Sequence, residues 1–216
     1  MSKIKSHIFI ISGIDGSGKS TIINELKKNL QQRGGRIYTP WLRYNHYSTR
    51  VVFALAKLLG FYGYDIQDGR RVASYHEFSR SRLISVLFIA ATYIDTLLAS
   101  LLKVHFPAYI LRRIVICDRW VPDILVDIAV DTGKKQLGKD FVWKMFWGMV
   151  PTSAKAFVIM RERGEVLACR EENRISRDFE IRFKLYEDLC TFGPVHTIDN
   201  CGAMDQAVRQ VLEVAL

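Results

Sequence analysis

Apolar positions along the chain fall into short unbroken runs separated by segments of helical spacing. His7-Ile8-Phe9-Ile10-Ile11, Ile114-Val115-Ile116-Cys117 and Ala156-Phe157-Val158-Ile159 are continuous and rich in β-branched residues, the pattern of strands covered on both faces. Arg36-Ile37-Tyr38-Thr39, closed by Pro40, and Val195-His196-Thr197-Ile198 read as two further strands. Ile22, Ile23, Leu26 and Leu30 recur at helical spacing until Gly34-Gly35 ends the run. Helices are also predicted over Val51 to Leu59, from about Arg70 to Val104, and over Met204 to Val214, with Gly60 to Gly69 a polar and aromatic loop. Alternation of this kind predicts an α/β fold whose parallel sheet is covered on both faces. There is no repeat, low-complexity tract or linker, so residues 1–216 read as a single domain.

The first strand leads directly into Gly13-Ile14-Asp15-Gly16-Ser17-Gly18-Lys19-Ser20-Thr21, which has the spacing of a phosphate-binding loop between a strand and a helix. Glycines allow backbone N–H groups to turn inward around phosphate oxygens, Lys19 can reach the β and γ phosphates, and the Ser20 hydroxyl can ligate Mg²⁺. These residues predict binding of ATP with Mg²⁺. In open parallel sheets ligands sit at the carboxyl ends of the strands. Trp41-Leu42-Arg43, Asp118-Arg119 and Arg161 follow the other strands, which gathers cations on the same rim. Asp118 either accepts a water of the Mg²⁺ shell or caps the next helix and pairs locally with Arg119.

Charge sharpens this picture more than composition does. Lys and Arg number 31 against 22 Asp and Glu, a formal charge of +9, which favours a polyanionic ligand. No tract interleaves basic and aromatic residues, so the charge fits phosphate groups and does not call for nucleic acid. Cys117, Cys169, Cys190 and Cys201 form neither a CxxC pair nor a ligand cluster with His, and read as reduced thiols of a cytoplasmic protein. The apolar run after Met1-Ser2-Lys3-Ile4-Lys5 is too short for a signal peptide. Leu83 to Leu102 is long enough to cross a bilayer, but Asp95 lies near its middle and would cost about 3 kcal/mol there. A helix buried between the sheet and its neighbours is expected instead, with no membrane partner.

Taken in order, these residues resemble the thymidylate kinase family of nucleoside monophosphate kinases. The resemblance rests on the strand before Gly-x-Asp-Gly-x-Gly-Lys-Ser-Thr, the helix bearing Leu87-Phe88 and small residues, the strand ending in Asp118-Arg119 plus an aromatic, and Pro151 before the fourth strand. Glu165-Val166-Leu167-Ala168-x-Arg170 and Phe179-Glu180 resemble the lid region. It implies a five-stranded parallel sheet with helices on both faces, the P-loop nucleoside triphosphate hydrolase fold, and a short mobile lid over about residues 161–178. It also implies transfer of the γ-phosphoryl of ATP to a nucleoside monophosphate, with dTMP the family's acceptor. Lys19 would hold the transferring phosphates, Ser20 the Mg²⁺, Asp15 would stand near the acceptor sugar, and Arg119 would grip the acceptor phosphate. Some members carry a cation at the position of Gly16; here Arg170, Arg174 or Arg177 of the lid must supply it. A homodimer is allowed, and nucleic acid is not expected as a partner.

The departures concern the acceptor. An arginine that reads the thymine edge in the family is matched by Thr92, and Ser, Tyr and Gln near the nucleotide are matched by Asp123, Asp127 and Ile128. Ser12 stands where many members have Glu. Asp123 and Asp127 either bind sugar hydroxyls or a cation, or mark an exposed helix face. Phosphoryl transfer is therefore expected more firmly than thymine selectivity. The alternatives are the same chemistry on another small-molecule acceptor, and a nucleotide-dependent switch or nucleic-acid-binding ATPase.

Overall fold

The computed structural model describes residues 7–43, 47–67, 70–134, 136–138, 140–169, 171–202 and 204–215. Five strands, β1 (Ile8–Ser12), β2 (Ile37–Tyr38), β5 (Ile114–Asp118), β6 (Lys155–Met160) and β7 (His196–Asp199), form one parallel sheet in the order β2-β5-β1-β6-β7. Residue alternation divides the strands between two cores. Ile8, Ile10, Val115, Cys117, Ala156 and Val158 point into the larger one. Phe9, Ile11, Ile114, Ile116, Phe157 and Ile159 point into the other, where α1 (Lys19–Gln32) and α9 (Met204–Ala215) cover them. Both faces being apolar, the strands lack the polar alternation of a half-exposed sheet.

The larger core is closed by α2 (Thr49–Leu58), α3 (Arg82–Ser100), α4 (Val121–Asp131), α5 (Phe141–Trp147) and α8 (Phe179–Phe192). Two short helices, α6 (Arg163–Cys169) and α7 (Glu171–Ile175), occupy the segment expected to form the lid. Because β1 crosses to β2 on one side while β6 lies on the other, the loops after β1 and β5 leave the sheet side by side at its carboxyl edge. That is where such sheets bind ligands.

Two expectations about the middle of the chain are corrected. Gly60 to Gly69 is not a simple loop, nor is helix continuous from Arg70: β3 (Tyr62–Gln67) and β4 (Arg70–His76) form an antiparallel hairpin, followed by a 3₁₀ turn at Phe78–Arg80. Aromatic and β-branched residues at Tyr62, Tyr64, Val72 and Tyr75 suit strands, and their pairing across the turn fits neither a loop nor a helix. Asp68 and Gly69 lie outside the described residues. The helix expected to be buried is buried on one face only. It begins at Arg82, continues beyond Ser100 as a π-wound segment over Leu101–Ile110 that contains Pro107, and is long and apolar enough to cross a membrane. Ile84, Phe88, Ala91, Ala99, Val104 and Ala108 enter the core, while Leu83, Val86, Ile94, Leu98, Leu101 and Leu102 are exposed.

Asp95 explains its own place in that apolar run. Its carboxylate accepts from the backbone N–H groups of Tyr47, Ser48 and Thr49 at 2.9, 2.8 and 3.0 Å, and from the hydroxyls of Ser48 and Thr49 at 2.8 Å each. It thus serves as the N-terminal cap of α2 from another helix, satisfying donors that α2 cannot satisfy itself. Burial opposes the charge, but these hydrogen bonds prevail and hold the carboxyl below its ordinary range.

Candidate functional site

Backbone geometry makes the loop after β1 an anion cradle. Gly13 has φ 137°, and a Cβ there would stand 2.5 Å from the carbonyl oxygen of Ile159 on β6, so only glycine permits the approach. Gly16 and Gly18 also adopt positive φ, 93° and 94°. The N–H groups of Gly16, Gly18, Lys19 and Ser20 donate to no backbone acceptor among the described residues. Lys19 is buried, and its Nζ donates to the Ile14 carbonyl at 2.6 Å, inside the loop it closes. Burial, with Arg119 second, lowers its pKa to about 7. A cradle of open donors around a buried, partly uncharged lysine is built for the negative charge of phosphates.

An open cavity of about 560 Å³ lies over this loop, lined by Asp15, Gly16, Gly18, Lys19, Ser20, Thr21, Asp118 and Arg119 among others. Ser20 and Asp118 face it together, a hydroxyl and a carboxylate of the kind that hold Mg²⁺ while it keeps several waters. Burial raises the Asp118 pKa, with Arg119 and Lys19 acting in the opposite sense. A divalent cation would favour the ionised form.

Arg119 is held in a costly conformation. Its φ of 66° places a non-glycine residue in the left-handed region, about 1 kcal/mol uphill. Its N–H donates to Ile11 at 3.0 Å, and its guanidinium binds Asp123 at 2.7 Å, the Gly13 carbonyl at 3.3 Å, and Asp15. The guanidinium thus stands across the rim from Lys19. Burial works against its charge, but Asp123, Tyr186 and Asp15 together outweigh this and raise the pKa.

From Arg119 an ion-pair chain runs inward. Arg43 donates to Asp15 at 3.3 Å and grips Asp127 with two bonds of 3.0 and 2.9 Å; Arg182 also donates to Asp127. Burial opposes ionisation of Asp127, yet the two arginines hold its pKa far below the ordinary carboxylate range. Arg43 and Asp127 also line a second cavity of about 330 Å³, walled by Phe53, Tyr62, Phe88, Ile124 and Ile128. The two cavities therefore meet at Arg43.

No model of a protein family matches the sequence, and no curated protein matches it. Among solved structures the chain is similar to thymidylate kinase from Ehrlichia chaffeensis, with 16% identity, a TM-score of 0.58, and coverage of 97% of this chain and 98% of that one. The chain has the fold of that thymidylate kinase. Its five-stranded parallel sheet with surrounding helices is the architecture of that solved structure, and the cradle after β1 lies at the carboxyl edge where parallel sheets bind ligands.

Within that fold, the structure brings Asp15, Lys19, Ser20, Asp118 and Arg119 to one cavity. It does not bring all of the lid cations there. Arg174 donates to the Leu167 carbonyl at 2.9 Å, and Arg177 lies over the Tyr75 ring, 3.3 Å from its centroid. Arg170 lies outside the described residues. Asp123 is buried, Asp127 is half-buried and both are paired, which removes the exposed-face alternative. Sequence reasoning missed Arg182, His76 and Asp131, as well as two asparagines that brace the loop: Asn173 donates to the Asp15 carbonyl and Asn200 to the Ser17 carbonyl, each at 2.8 Å. The one local signal was the spacing of Asp123, Asp127 and Asp131, a carboxylate at every fourth residue of α4.

Proposed function

We propose that this protein transfers the γ-phosphoryl group of ATP to a phosphate oxygen of a nucleoside monophosphate, in the manner of thymidylate kinase. The observation that carries the proposal is the junction of a phosphate cradle and an aromatic-walled cavity at Arg43, with Arg119 facing both the loop and its Asp15. Lys19 and the open N–H groups would hold the β and γ phosphates, and Arg119 with Arg43 the acceptor phosphate. Ser20 and Asp118 would hold Mg²⁺, which when bound neutralises charge on the phosphate oxygens. In the transfer the bond from the γ phosphorus to its bridging oxygen breaks as one to the acceptor oxygen forms, so alignment and cations in place supply most of the catalysis. Arg170 or Arg174 would complete the charge set from the lid. The four free thiols accord with a reducing cytoplasm.

The proposal includes a homodimer through the outer face of α2 and α3. Twelve large apolar side chains between Leu83 and Leu111 are exposed, joined by Val51, Leu55 and Leu58 of α2. So many exposed large apolar side chains on one run of helix are more than a monomer ordinarily leaves bare.

The test is ADP release by the purified chain with ATP and Mg²⁺ against a panel of nucleoside monophosphates, with Lys19→Ala as control. Turnover with at least one monophosphate, lost in the variant by about a thousandfold, supports the proposal. Nucleotide hydrolysis that no monophosphate stimulates overturns it.

A further inference from the structure

The far end of the 330 Å³ cavity carries polar groups that the phosphate chemistry does not use. Helix α4 measures its length. Asp123 binds Arg119, Asp127 binds Arg43 and Arg182, and Asp131 ends the helix against His76. These carboxylates lie one turn apart, so Asp131 stands ~12 Å beyond Asp123 at the helical rise of about 1.5 Å per residue. A monophosphate anchored at Arg119 would therefore extend its ring towards Asp131.

The geometry points to Asp131, oriented by His76 and joined by Thr92, as the group that selects a nucleobase bearing an exocyclic amino group over the keto pyrimidines; this rests on the transferase proposed above. His76 cannot turn freely. Its ring stacks between Phe53 and Phe78, with centroids 4.9 and 5.0 Å away and planes inclined at 25° and 16°. Its Nδ1 lies 3.0 Å from Oδ1 of Asp131, a close contact at ion-pair distance. The pairing orients the carboxylate, whose other oxygen takes no hydrogen bond from any described residue. Thr92 Oγ1 also has no hydrogen-bond partner among the described residues. Arg182, on which Asp131 acts electrostatically, gives its guanidinium to Asp127.

A fixed carboxylate rewards an N–H edge and penalises a carbonyl edge. Cytosine and adenine present an amino group, and guanine an amino group beside a ring N–H. Thymine and uracil present one N–H flanked by two carbonyl oxygens, which a carboxylate repels. A site with a buried acceptor rejects a ligand that leaves the acceptor unpaired far more strongly than an apolar site rejects a change of shape.

Two measurements on the full chain separate this inference from the transferase reading. Binding is read first, by the melting shift with cytidine, adenosine, guanosine, uridine and thymidine and with their 5′-monophosphates, none of which requires turnover. Turnover is then read by ADP release with ATP and Mg²⁺. The best amino-bearing monophosphate is expected to exceed dTMP and UMP by at least about tenfold in affinity and in kcat/KM. Asp131→Asn can donate to a carbonyl and is expected to shrink or reverse that ratio, mainly through acceptor KM, with KM for ATP unchanged. Thr92→Val, which keeps the volume, is expected to weaken the preferred base several-fold. If Asp131→Asn does not fold, His76→Gln is expected to narrow the ratio in the same direction. Preference for dTMP or UMP, or an unchanged ratio in a folded variant, overturns base selection. Absence of turnover beside an intact binding preference overturns the transferase and leaves base selection standing.

Discussion

At the scale of the residue, Lys19 and Arg119 carry the sharpest expectations. With its pKa near 7 in the folded chain against 10.5 ordinarily, Lys19 has released a proton that the unfolded chain keeps between those values. The unfolded state then binds more protons, so stability of the nucleotide-free protein should rise with pH through that window and not change from this group below it. Phosphates restore the charge. Nucleotide binding should take up almost no proton at pH 6 and approach about one at pH 8.5, as read by calorimetry in buffers of different ionisation enthalpy. Lys19→Met should abolish the uptake; uptake that persists in this variant would assign the proton elsewhere. Arg119 requires a gentler change, since removing it would strand Asp123 in the interior. Arg119→Lys keeps the charge and loses the fork, and should raise acceptor KM by roughly tenfold while KM for ATP moves much less. The reverse split would place Arg119 on the ATP side.

At the scale of the element, Asp95 joins α2 to α3 through five hydrogen bonds, and the loop leading into α2 depends on it. Asp95→Asn retains the shape but turns half of an acceptor into a donor facing N–H groups, and should cost roughly 3 kcal/mol in chemical denaturation. Because the folded carboxyl is held below its ordinary value, its contribution is complete above the unfolded pKa of about 4 and fades as pH falls through the depressed value. The variant should therefore lose its deficit against the parent in acid, and a deficit constant down to pH 2 would refute the cap. The hairpin β3–β4 acts differently. Tyr62 pairs with His76 across it, and both side chains face the acceptor cavity, so a local pairing sets one wall of the site.

At the scale of the whole molecule, the unpaired face of α2 and α3 leads to one expectation about assembly. Leu98→Glu with Leu101→Glu would bury charge in the proposed interface and should convert dimer to monomer in sedimentation equilibrium, leaving the fold intact because both side chains are exposed in the single chain. A parent that sediments as a monomer would refute the interface.

How much of this was legible in the sequence follows from the range of the interactions involved. Periodicity and the glycine-lysine spacing sufficed for the five strands and the glycine-rich turn after β1, because strand burial and loop chirality are dictated by residues near one another in the chain. The same logic placed the ligand rim, since a parallel sheet sends all its strand ends to one edge. What needed tertiary structure was every feature made from distant residues. The hairpin at 62–76 lies hidden in a segment that reads as a loop followed by a helix, since its strands are defined by each other. Asp95 reads as an anomaly until α2 arrives 46 residues away to be capped. Asp127 looks like surface charge until Arg43 and Arg182 close on it. The exposed side of α3 is apolar in the same way as its buried side, and only packing against the sheet distinguishes the two. Local chemistry thus determined the glycine-rich loop proposed to bind phosphates, whereas Asp131, His76 and Thr92, to which the proposed base selection is assigned, are carried by α4, the hairpin and α3 and meet only when these pack around one cavity.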